Sequence, residues 1–296
     1  MPLPRLFRSV ILLPAPCSRT GARALISPAA CVMRTPYLAR IAVFPIKALD
    51  AVEVTHATIT RGGSLAWDRR FAMLDRSGRF INGKRNAKVH LLRPAYDLER
   101  SQVRLRRQGG VRWDGFQLAA GEPELERWLS DHFGEPVRVV ENPDAGFPDD
   151  TEASGPTLVS TASLLEVASW FPGLDAGALR RRFRVNLEVD GVQAFWEDLQ
   201  FTEHGRKKFR IGEVELEGAN PCARCVVPTR DPETSEVLPG FQRTFMERRA
   251  AALPPGVARQ RFDHFYRFTL NTVIAQGQRG RSLNVSDAVM ADASAP

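Results

Sequence analysis

The 296-residue sequence predicts a mainly β, α+β fold built from two β-barrel-like parts with a few helices. Short segments rich in β-branched and aromatic residues recur along the chain, and turn-forming residues separate them. Few segments carry the apolar periodicity of an amphipathic helix. Many short strands spaced by turns in this way are typical of barrels and sandwiches.

The predicted strands begin at residue 38 and recur almost to the end of the chain. In order they are Leu38–Phe44, Val52–Ile59, Phe71–Leu74, Arg79–Ile81, Val89–Arg93, Tyr96–Leu98, Val103–Leu105, Val111–Leu118, Phe183–Val189, Phe209–Ile211, Val214–Leu216, Phe268–Ile274 and Ser282–Val285. Pro45 ends the first strand because proline cannot donate to a β ladder. Asp75–Gly78 and Gly212 predict two hairpin turns.

The predicted helices are fewer than the strands. They cover Glu122–Phe133, Ser160–Phe171, Gln242–Ala252 and Ala258–Phe265, and Gly177–Arg182 is a basic turn or short helix. In the first two, apolar residues recur every three or four positions. Gly134 and the pair Pro172-Gly173 supply the expected stop signals after them.

The chain is predicted to contain two domains joined by a linker. Residues 141–155 are rich in proline, glycine and acidic residues, which is typical of a linker. This linker separates an N-terminal domain at residues 36–140 from a C-terminal domain at residues 156–290, and residues 291–296 form a tail. Residues 1–35 are predicted to lie outside the fold as a disordered, targeting or mis-started segment.

The basic residues of this N-terminal region account for the net charge of +7. Residues 1–49 contain seven arginines and lysines and no acidic residue, so residues 50–296 are neutral overall. A duplex-binding domain would carry its basic excess on the folded part, so we expect no nucleic-acid partner. No apolar run is long enough to span a bilayer.

The composition of residues 1–35 has two interpretations. The segment is rich in Arg, Ser, Ala and Pro, which is typical of a transit peptide and predicts a mitochondrial location. Met33 lies just before the first strand, and a true start there predicts a cytoplasmic location. Four cysteines in so long a chain do not make a disulfide scaffold, so a reducing compartment is expected.

The segment Asn220–Thr234 carries most of the chemistry in the sequence. Cys222 and Cys225 flank Arg224, and a thiolate beside a fixed cation ligates soft metals or attacks electrophiles. A structural zinc site needs four ligands, and this segment offers two cysteines. A thioredoxin-like cysteine pair lies at the start of a helix, whereas the prolines after Cys225 predict a loop. Both sites, and a pair of inert buried thiols, stay open as alternatives.

Four motifs resemble the MOSC domain proteins, and in particular the branch that contains the mitochondrial amidoxime reducing component. In chain order they are Pro45–Leu49, Trp67–Leu74, Arg182–Leu187 and Pro221–Cys225 with Asp231–Thr234. Each motif is short, but all four occur in the family's order and together cover about residues 37–290. The resemblance implies an N-terminal MOSC β-barrel domain followed by a C-terminal MOSC β-barrel.

The resemblance also implies a molybdenum–molybdopterin cofactor, whose pterin carries a phosphate at its far end. It identifies Cys225 as the metal ligand and catalytic residue, with Arg224 favouring the thiolate. Cys222 matches a position that is not a ligand. The other cofactor-binding residues that it implies are Lys47, Arg69, Ser154, Arg184, Asn186, Thr229 and Asn271.

The chemistry of several of these residues suits that cofactor. A phosphate dianion that leaves water needs cations such as Lys47 and Arg69, preferably a forked guanidinium. Arg184 and Asn186 alternate on a predicted strand, so both side chains share one face. Thr229 either lines the pocket or caps a turn with its hydroxyl.

The sequence departs from the family motifs at three places. Ala48 replaces a serine after the lysine, which removes a hydroxyl that would contact the phosphate. Val185 replaces the proline between the arginine and the asparagine of the strand motif. A shifted Ser-Gly-Pro segment leaves open whether Ser154 or Gly155 contacts the cofactor.

The resemblance implies reduction of small N-hydroxylated compounds, with the cofactor supplying the redox chemistry. The sequence has no flavin or nucleotide fingerprint and no cysteine set for an iron–sulfur cluster. Electrons are therefore expected from a separate partner protein that carries flavin, haem or iron–sulfur. The alternatives are a cofactor carrier or sulfur-transfer protein with a persulfide on Cys225, and a non-enzymatic β protein with inert cysteines.

Overall fold

The computed structural model describes residues 35–291. The predicted segment at residues 1–35 lies outside the described residues except for its last residue, and residues 292–296 of the tail lie outside them too. Strands predominate over helices among the described residues, so the predicted mainly β, α+β fold is confirmed.

The described strands are numbered in chain order. They are Tyr37–Val43 (β1), Val52–Val54 (β2), His56–Thr58 (β3), Phe71–Leu74 (β4), Leu92–Asp97 (β5), Gln102–Arg107 (β6), Asp114–Gln117 (β7), Arg138–Glu141 (β8), Leu158–Ser160 (β9), Leu187–Asp190 (β10), Lys207–Ile211 (β11), Val214–Ala223 (β12), Arg267–Ile274 (β13), Ser282–Asn284 (β14) and Val289–Ala291 (β15). Most are short, as the spacing of turn residues predicts.

The described helices lie between these strands. The α-helices are Pro123–Phe133 (α1), Thr161–Ser169 (α2), Ala176–Phe183 (α3) and Phe241–Ala251 (α4). Short 3₁₀ helices occur at Ala87–Leu91, Trp196–Leu199, Val227–Thr229, Arg259–Arg261 and Gln276–Gln278.

An eight-stranded sheet of order β15-β11-β12-β13-β9-β10-β1-β2 organises the C-terminal half and recruits two strands from the N-terminal half. β1 pairs antiparallel with β10, and β3 pairs with β14 near the end of the described chain. Alternate apolar side chains of these strands meet in one core, where Ile41, Leu187 and Phe209 are fully buried. Both ends of the described part of the chain therefore depend on the same core.

A second core belongs to the N-terminal half. The pair β4–β8 and the three-stranded sheet β5-β6-β7 pack their apolar faces around helix α1, whose Leu125 and Leu129 are fully buried. Pro123 starts this helix, where no intrahelical N–H is needed, and Gly134 ends it with a left-handed φ of 77°. The apolar stripe of α1 is therefore buried as its periodicity predicts.

A third core is dominated by phenylalanines and packs α2, α3 and α4 against β13. Phe183 at the end of α3 contacts the rings of Phe241 and Phe245 from α4 and of Phe268 from β13. Tilted and edge-to-face ring pairs of this kind add to the stabilisation from area burial. This core fixes the end of α3, which leads directly into the cavity described below.

Several predicted element boundaries are wrong. Val89–Arg93 begins inside a 3₁₀ helix, because the Asn86 side chain caps that helix by accepting from the Lys88 N–H. Phe183–Val189 is strand only from Leu187, since α3 runs on to Phe183. Apolar side chains of these segments are buried in a core whether the backbone is helical or extended. Their periodicity alone therefore did not distinguish helix from strand.

Three further predictions differ from the structure. Arg79–Ile81 forms a single bridge through Phe80 rather than a strand, and Ala258–Phe265 contains only one 3₁₀ turn at Arg259–Arg261. β12 runs to Ala223, so the first part of the predicted cysteine loop is extended strand paired with β13. β8, β9 and β15 were not predicted, because segments of three or four residues give no readable periodicity.

A buried ionic group lies behind the phenylalanine core. Glu197 and Asp198 are each 1% exposed, and Asp198 pairs with the fully buried Arg249. Glu197 accepts a hydrogen bond of 3.0 Å from the Ser163 hydroxyl. Burial, together with the adjacent charge of Asp198, raises the pKa of Glu197 to about 7. One arginine therefore serves two carboxyl groups, and Glu197 is the one favoured in its protonated form.

We expect Glu197→Gln to stabilise the protein more at about pH 8 than at about pH 5. Between its ordinary value of 4.5 and the raised value of about 7, the folded protein holds a proton that the unfolded chain has released. Stability therefore falls as pH rises through this window, by on the order of 3 kcal/mol at most. Glutamine cannot ionise, so the variant does not lose stability through ionisation at this position.

Urea unfolding at the two pH values measures this effect, with Glu247→Gln on the exposed side of α4 as the matched control. Equal effects of Glu197→Gln at both pH values would contradict the assignment.

Among residues 35–291, no helix has both the length and the apolarity that crossing a membrane requires.

Candidate functional site

A cavity of about 670 Å³ lies where the two halves of the described chain meet. Residues from both halves line it, including Lys47 and Arg69 from the N-terminal half and Cys225 from the C-terminal half. The predicted site residues that line it are Lys47, Arg69, Ser154, Arg184, Arg224, Cys225 and Asn271. Asn186 and Thr229 lie behind its wall.

The sheet topology brings these residues together. β1 and β10 are antiparallel, so β1 ends at the edge where β10 begins, and the Ala42 N–H donates to the Asn186 carbonyl at 2.7 Å. Lys47 follows the end of β1, and Arg184 precedes the start of β10. Two motifs that are far apart in sequence therefore lie side by side.

Lys47 is 5% exposed and lies in the cavity wall. Its ammonium donates to the Phe147 carbonyl and to the Asp149 carboxylate, both at 2.7 Å. Burial lowers the pKa of Lys47, and the nearby charges of Arg69 and Arg184 act in the same direction. Burial alone would raise the pKa of Asp149, but the pair with Lys47 lowers it to about 2.

Arg69 is held by a buried hydrogen-bond network. Its guanidinium pairs with Asp68, which also accepts 2.9 Å and 3.0 Å bonds from the Asn186 amide and the Phe44 N–H. Asn186 is fully buried, and its carbonyl oxygen lies 3.3 Å from Arg69 Nη1. Asn186 therefore positions Asp68 and Arg69 instead of facing the cavity.

Arg184 is a cation of the cavity that lacks a hydrogen-bond partner among the described residues. Its guanidinium donates no hydrogen bond to any described residue, and Nη2 is buried. It lies 4.3 Å from the centre of the Phe44 ring, and Arg69 lies 5.3 Å from the same ring. Burial and the neighbouring charge of Arg69 lower the pKa of Arg184 to about 10. A buried N–H without an acceptor costs free energy, so this group suits an anionic ligand.

Three of the nine described non-glycine residues with a positive φ lie at the same place. Ala48, Arg69 and Arg184 all line the cavity and have left-handed φ values of 77°, 51° and 54°. Residues other than glycine tolerate this region only where the surrounding structure fixes it, and such residues cluster at functional sites. The strand predicted for Arg184 and Asn186 is wrong at this point, because the left-handed turn at Arg184 aims the two side chains differently.

Side chains of helix α3 hold the segment Asn220–Thr234, which is called the cysteine segment below. Arg182 is 4% exposed, donates to the Pro228 carbonyl at 3.1 Å and approaches the Asp231 carboxylate at 3.3 Å. Arg224 Nη1 lies 3.0 Å from Cys222 Sγ, and its other terminal nitrogen donates to the Phe183 carbonyl. The two cysteines are half-buried and both line the cavity.

The remaining predicted residues take clear positions. The Thr229 hydroxyl donates to the Val226 carbonyl at 2.7 Å, which is the turn-capping alternative. The Asn271 amide donates to Asp150 and Asn220, both at 3.1 Å. The Ser154 hydroxyl donates to the Gly62 carbonyl at 3.3 Å.

Gly155 lies too close to β13 for any larger residue. A Cβ atom there would lie 2.6 Å from the Thr272 carbonyl oxygen, and the Gly155 N–H donates to that oxygen at 3.0 Å. Its N–H is therefore already engaged. Gly155 and Ser154 both line the cavity, so their contact with a cofactor stays a prediction.

Sequence reasoning missed three residues that the site depends on. Asp68 and Asp149 pair with predicted cations, and Arg182 anchors the cysteine segment. Asp68 and Arg182 stand inside motifs that carry the resemblance, so the motifs were the available signal. Asp149 stands in the predicted linker, and only the fold shows that it reaches Lys47.

No three His, Cys, Asp or Glu side chains converge on a possible metal position anywhere in the described part of the chain. A metal bound at Cys225 would therefore need further ligands from outside the protein. A cofactor that brings its own sulfur ligands fits this arrangement.

Two family models match the sequence. Residues 35–136 match the MOSC N-terminal beta barrel domain, and residues 154–281 match the MOSC domain. Together they leave only the termini and a short segment around residue 145 unmatched. The matched intervals agree with the order in which the four motifs occur.

Proteins similar to this chain include molybdenum cofactor sulfurases. The human protein is 22% identical over 244 residues, which cover 66% of this chain and 26% of the human chain. The Danio rerio protein is 21% identical over 266 residues, which cover 74% of this chain and 31% of the fish chain. The Chaetomium globosum protein is 35% identical over 68 residues. The chain thus spans less than a third of the length of these relatives.

Proposed function

The chain belongs to the MOSC domain family, and on that premise we propose that its cavity binds a molybdenum–molybdopterin cofactor and reduces N-hydroxylated compounds. The unpartnered guanidinium of Arg184 is the observation that carries the proposal. It lies in a cavity that also presents Lys47, Arg69 and the thiol of Cys225.

The charges of the cavity suit a phosphate group. Arg69 and Arg184 lie close enough to Lys47 to lower its pKa. Asp149 partly neutralises Lys47, and Asp68 partly neutralises Arg69. A phosphate would give Arg184 the hydrogen-bond acceptor that no described residue supplies. The pterin would then extend from this cluster toward the cysteine segment.

The chain's own residues would hold the cofactor and shape its surroundings. Cys225 would bind the metal as a thiolate, and the positive charge of Arg224 favours that form. Arg182 fixes the backbone that carries Cys225, and Asn186 fixes Arg69 through Asp68. When bound, the cofactor supplies two-electron chemistry that side chains lack.

The proposed reaction consumes two electrons and two protons. The N–O bond of a small N-hydroxylated substrate breaks, one proton adds to its nitrogen, and the other adds to the hydroxyl group, which leaves as water. The electrons come from a separate redox protein that carries flavin, haem or iron–sulfur, because the sequence has no motif for a second redox group.

Sulfur transfer is the second candidate, because the chain is similar to molybdenum cofactor sulfurases. In this function Cys225 would carry a persulfide, and its outer sulfur atom would pass to an acceptor as the thiolate of Cys225 leaves. The cation cluster would then bind the cofactor as a substrate. Both functions use the same cavity, but they differ in what copurifies with the protein.

We expect protein made in a host that synthesises the cofactor to contain molybdenum and fluorescent pterin, and to reduce an amidoxime with electrons from a reduced viologen dye. Elemental analysis, pterin fluorescence and product chromatography measure the three properties. Cofactor without reduction, together with an additional sulfur atom on Cys225 by mass spectrometry, would favour sulfur transfer. Absence of pterin would contradict the reductase function, which needs the cofactor as a bound group.

A further inference from the structure

A second cavity of about 470 Å³ adjoins the first. Asp50 and Arg181 line both cavities, so their ion pair of 3.3 Å forms part of the partition. The arginines that line the second cavity are Arg40, Arg93, Arg106, Arg180 and Arg181. This concentration of guanidinium groups is separate from the cation cluster at Lys47 and is independent of the proposed function.

Four of these five arginines have carboxylate partners. The pairs are Arg40 with Glu53 at 2.7 Å, Arg93 with Asp50 at 3.5 Å, Arg180 with Glu188 at 2.5 Å and Arg181 with Glu233 at 2.7 Å. Arg180 is therefore not the free surface residue that its sequence context suggests. The pairing leaves the charge of one guanidinium in the cavity without compensation.

Arg106 is that guanidinium. It forms no ion pair or hydrogen bond with any described residue, and its Nε is buried without an acceptor. Its guanidinium carbon lies 4.8 Å from the centre of the Trp113 ring. In the β5–β6 register Arg106 stands directly opposite Arg93, and like charges in that position repel each other. An oxyanion between the two would relieve the repulsion and satisfy the buried N–H.

The wall of the cavity also indicates the kind of anion. One uncompensated positive charge matches a singly charged group, and the fork of a guanidinium fits both oxygens of a carboxylate. Phe44 and Pro94 add apolar surface beside the arginines. We propose that the second cavity binds a small organic carboxylate, with its oxygens between Arg106 and Arg93 and its apolar part against Phe44 and Pro94.

The position of the cavity connects it to the cysteine segment. Arg93 Nη2 donates to the carbonyls of Pro232 and Glu233, both at 3.0 Å. These residues follow Cys225 by seven and eight positions in the sequence. A carboxylate bound at Arg93 therefore contacts a residue that holds the end of this segment.

Calorimetric titration of the full chain with benzoate tests the proposal. We expect saturable binding that Arg106→Gln weakens by about tenfold or more, because a charge-assisted hydrogen bond is lost. Arg104→Gln is the matched control, since Arg104 lies on the same strand, contacts the same Trp113 ring at 5.7 Å and does not line the cavity. It should leave the affinity unchanged.

Arg184→Gln separates the two cavities. It should weaken binding of inorganic phosphate, which suits the first cavity, and leave benzoate binding intact. Benzoate that fails to bind, that binds Arg106→Gln as tightly as the unmodified chain, or that is lost only in Arg184→Gln would overturn the proposal. The Arg184→Gln result with phosphate reports on the proposed function separately.

Discussion

Cys225→Ala is expected to abolish reduction of N-hydroxylated substrates and to lower the molybdenum content by ~100-fold or more, because it removes the only protein ligand that we assign to the metal. The thiol lines the cavity beside Arg224, on a segment that Arg182 anchors from below. Elemental analysis and steady-state turnover of the same preparation measure both effects.

Cys222→Ala is the matched control. Cys222 lines the same cavity, and its sulfur lies 3.0 Å from Arg224 Nη1, so its loss removes a contact to the arginine and not a metal ligand. We expect molybdenum to be retained, with a stability loss of at most about 1–3 kcal/mol. If Cys222→Ala loses the metal and Cys225→Ala keeps it, the two cysteines have exchanged roles and the assignment from the family motif is wrong.

Arg184→Gln is expected to lower cofactor occupancy by about tenfold or more when the cofactor is limiting, since a charge-assisted contact in a partly desolvated site contributes on the order of 1.5–3 kcal/mol. In the cofactor-free protein Arg184 has no hydrogen-bond or ion-pair partner to lose and lies near Arg69. The melting temperature of the cofactor-free variant should therefore stay the same or rise. Pterin fluorescence and thermal unfolding measure the two quantities.

A loss of cofactor occupancy without a loss of melting temperature distinguishes a binding role of Arg184 from a structural one. Arg69→Ala is a poorer test, because it leaves the buried carboxylate of Asp68 without its partner and is expected to destabilise the fold. Arg248→Ala, on the exposed face of α4, is the control and should change neither quantity. Unchanged occupancy in Arg184→Gln would show that the phosphate does not lie at this residue.

The sequence determined the fold class and the order of the motifs. Period-two segments such as Val103–Leu105 and Val214–Leu216 became strands because alternation survives in any sheet that buries one face. The stripe of Glu122–Phe133 became α1 with its predicted glycine stop. The four motifs identified the family, since their residue types and order are local information.

Only the tertiary structure decided which residues face the cavity. The sequence pattern places Arg184 and Asn186 on one strand face, yet a left-handed turn at Arg184 separates them. The phenylalanine core causes this difference, because it extends α3 to Phe183. Arg180 pairs with the buried carboxylate of Glu188, whereas Arg106 has no ion-pair partner among the described residues, and nothing in the local sequence separates the two. Such pairings depend on contacts between distant segments, which local propensity and periodicity do not encode.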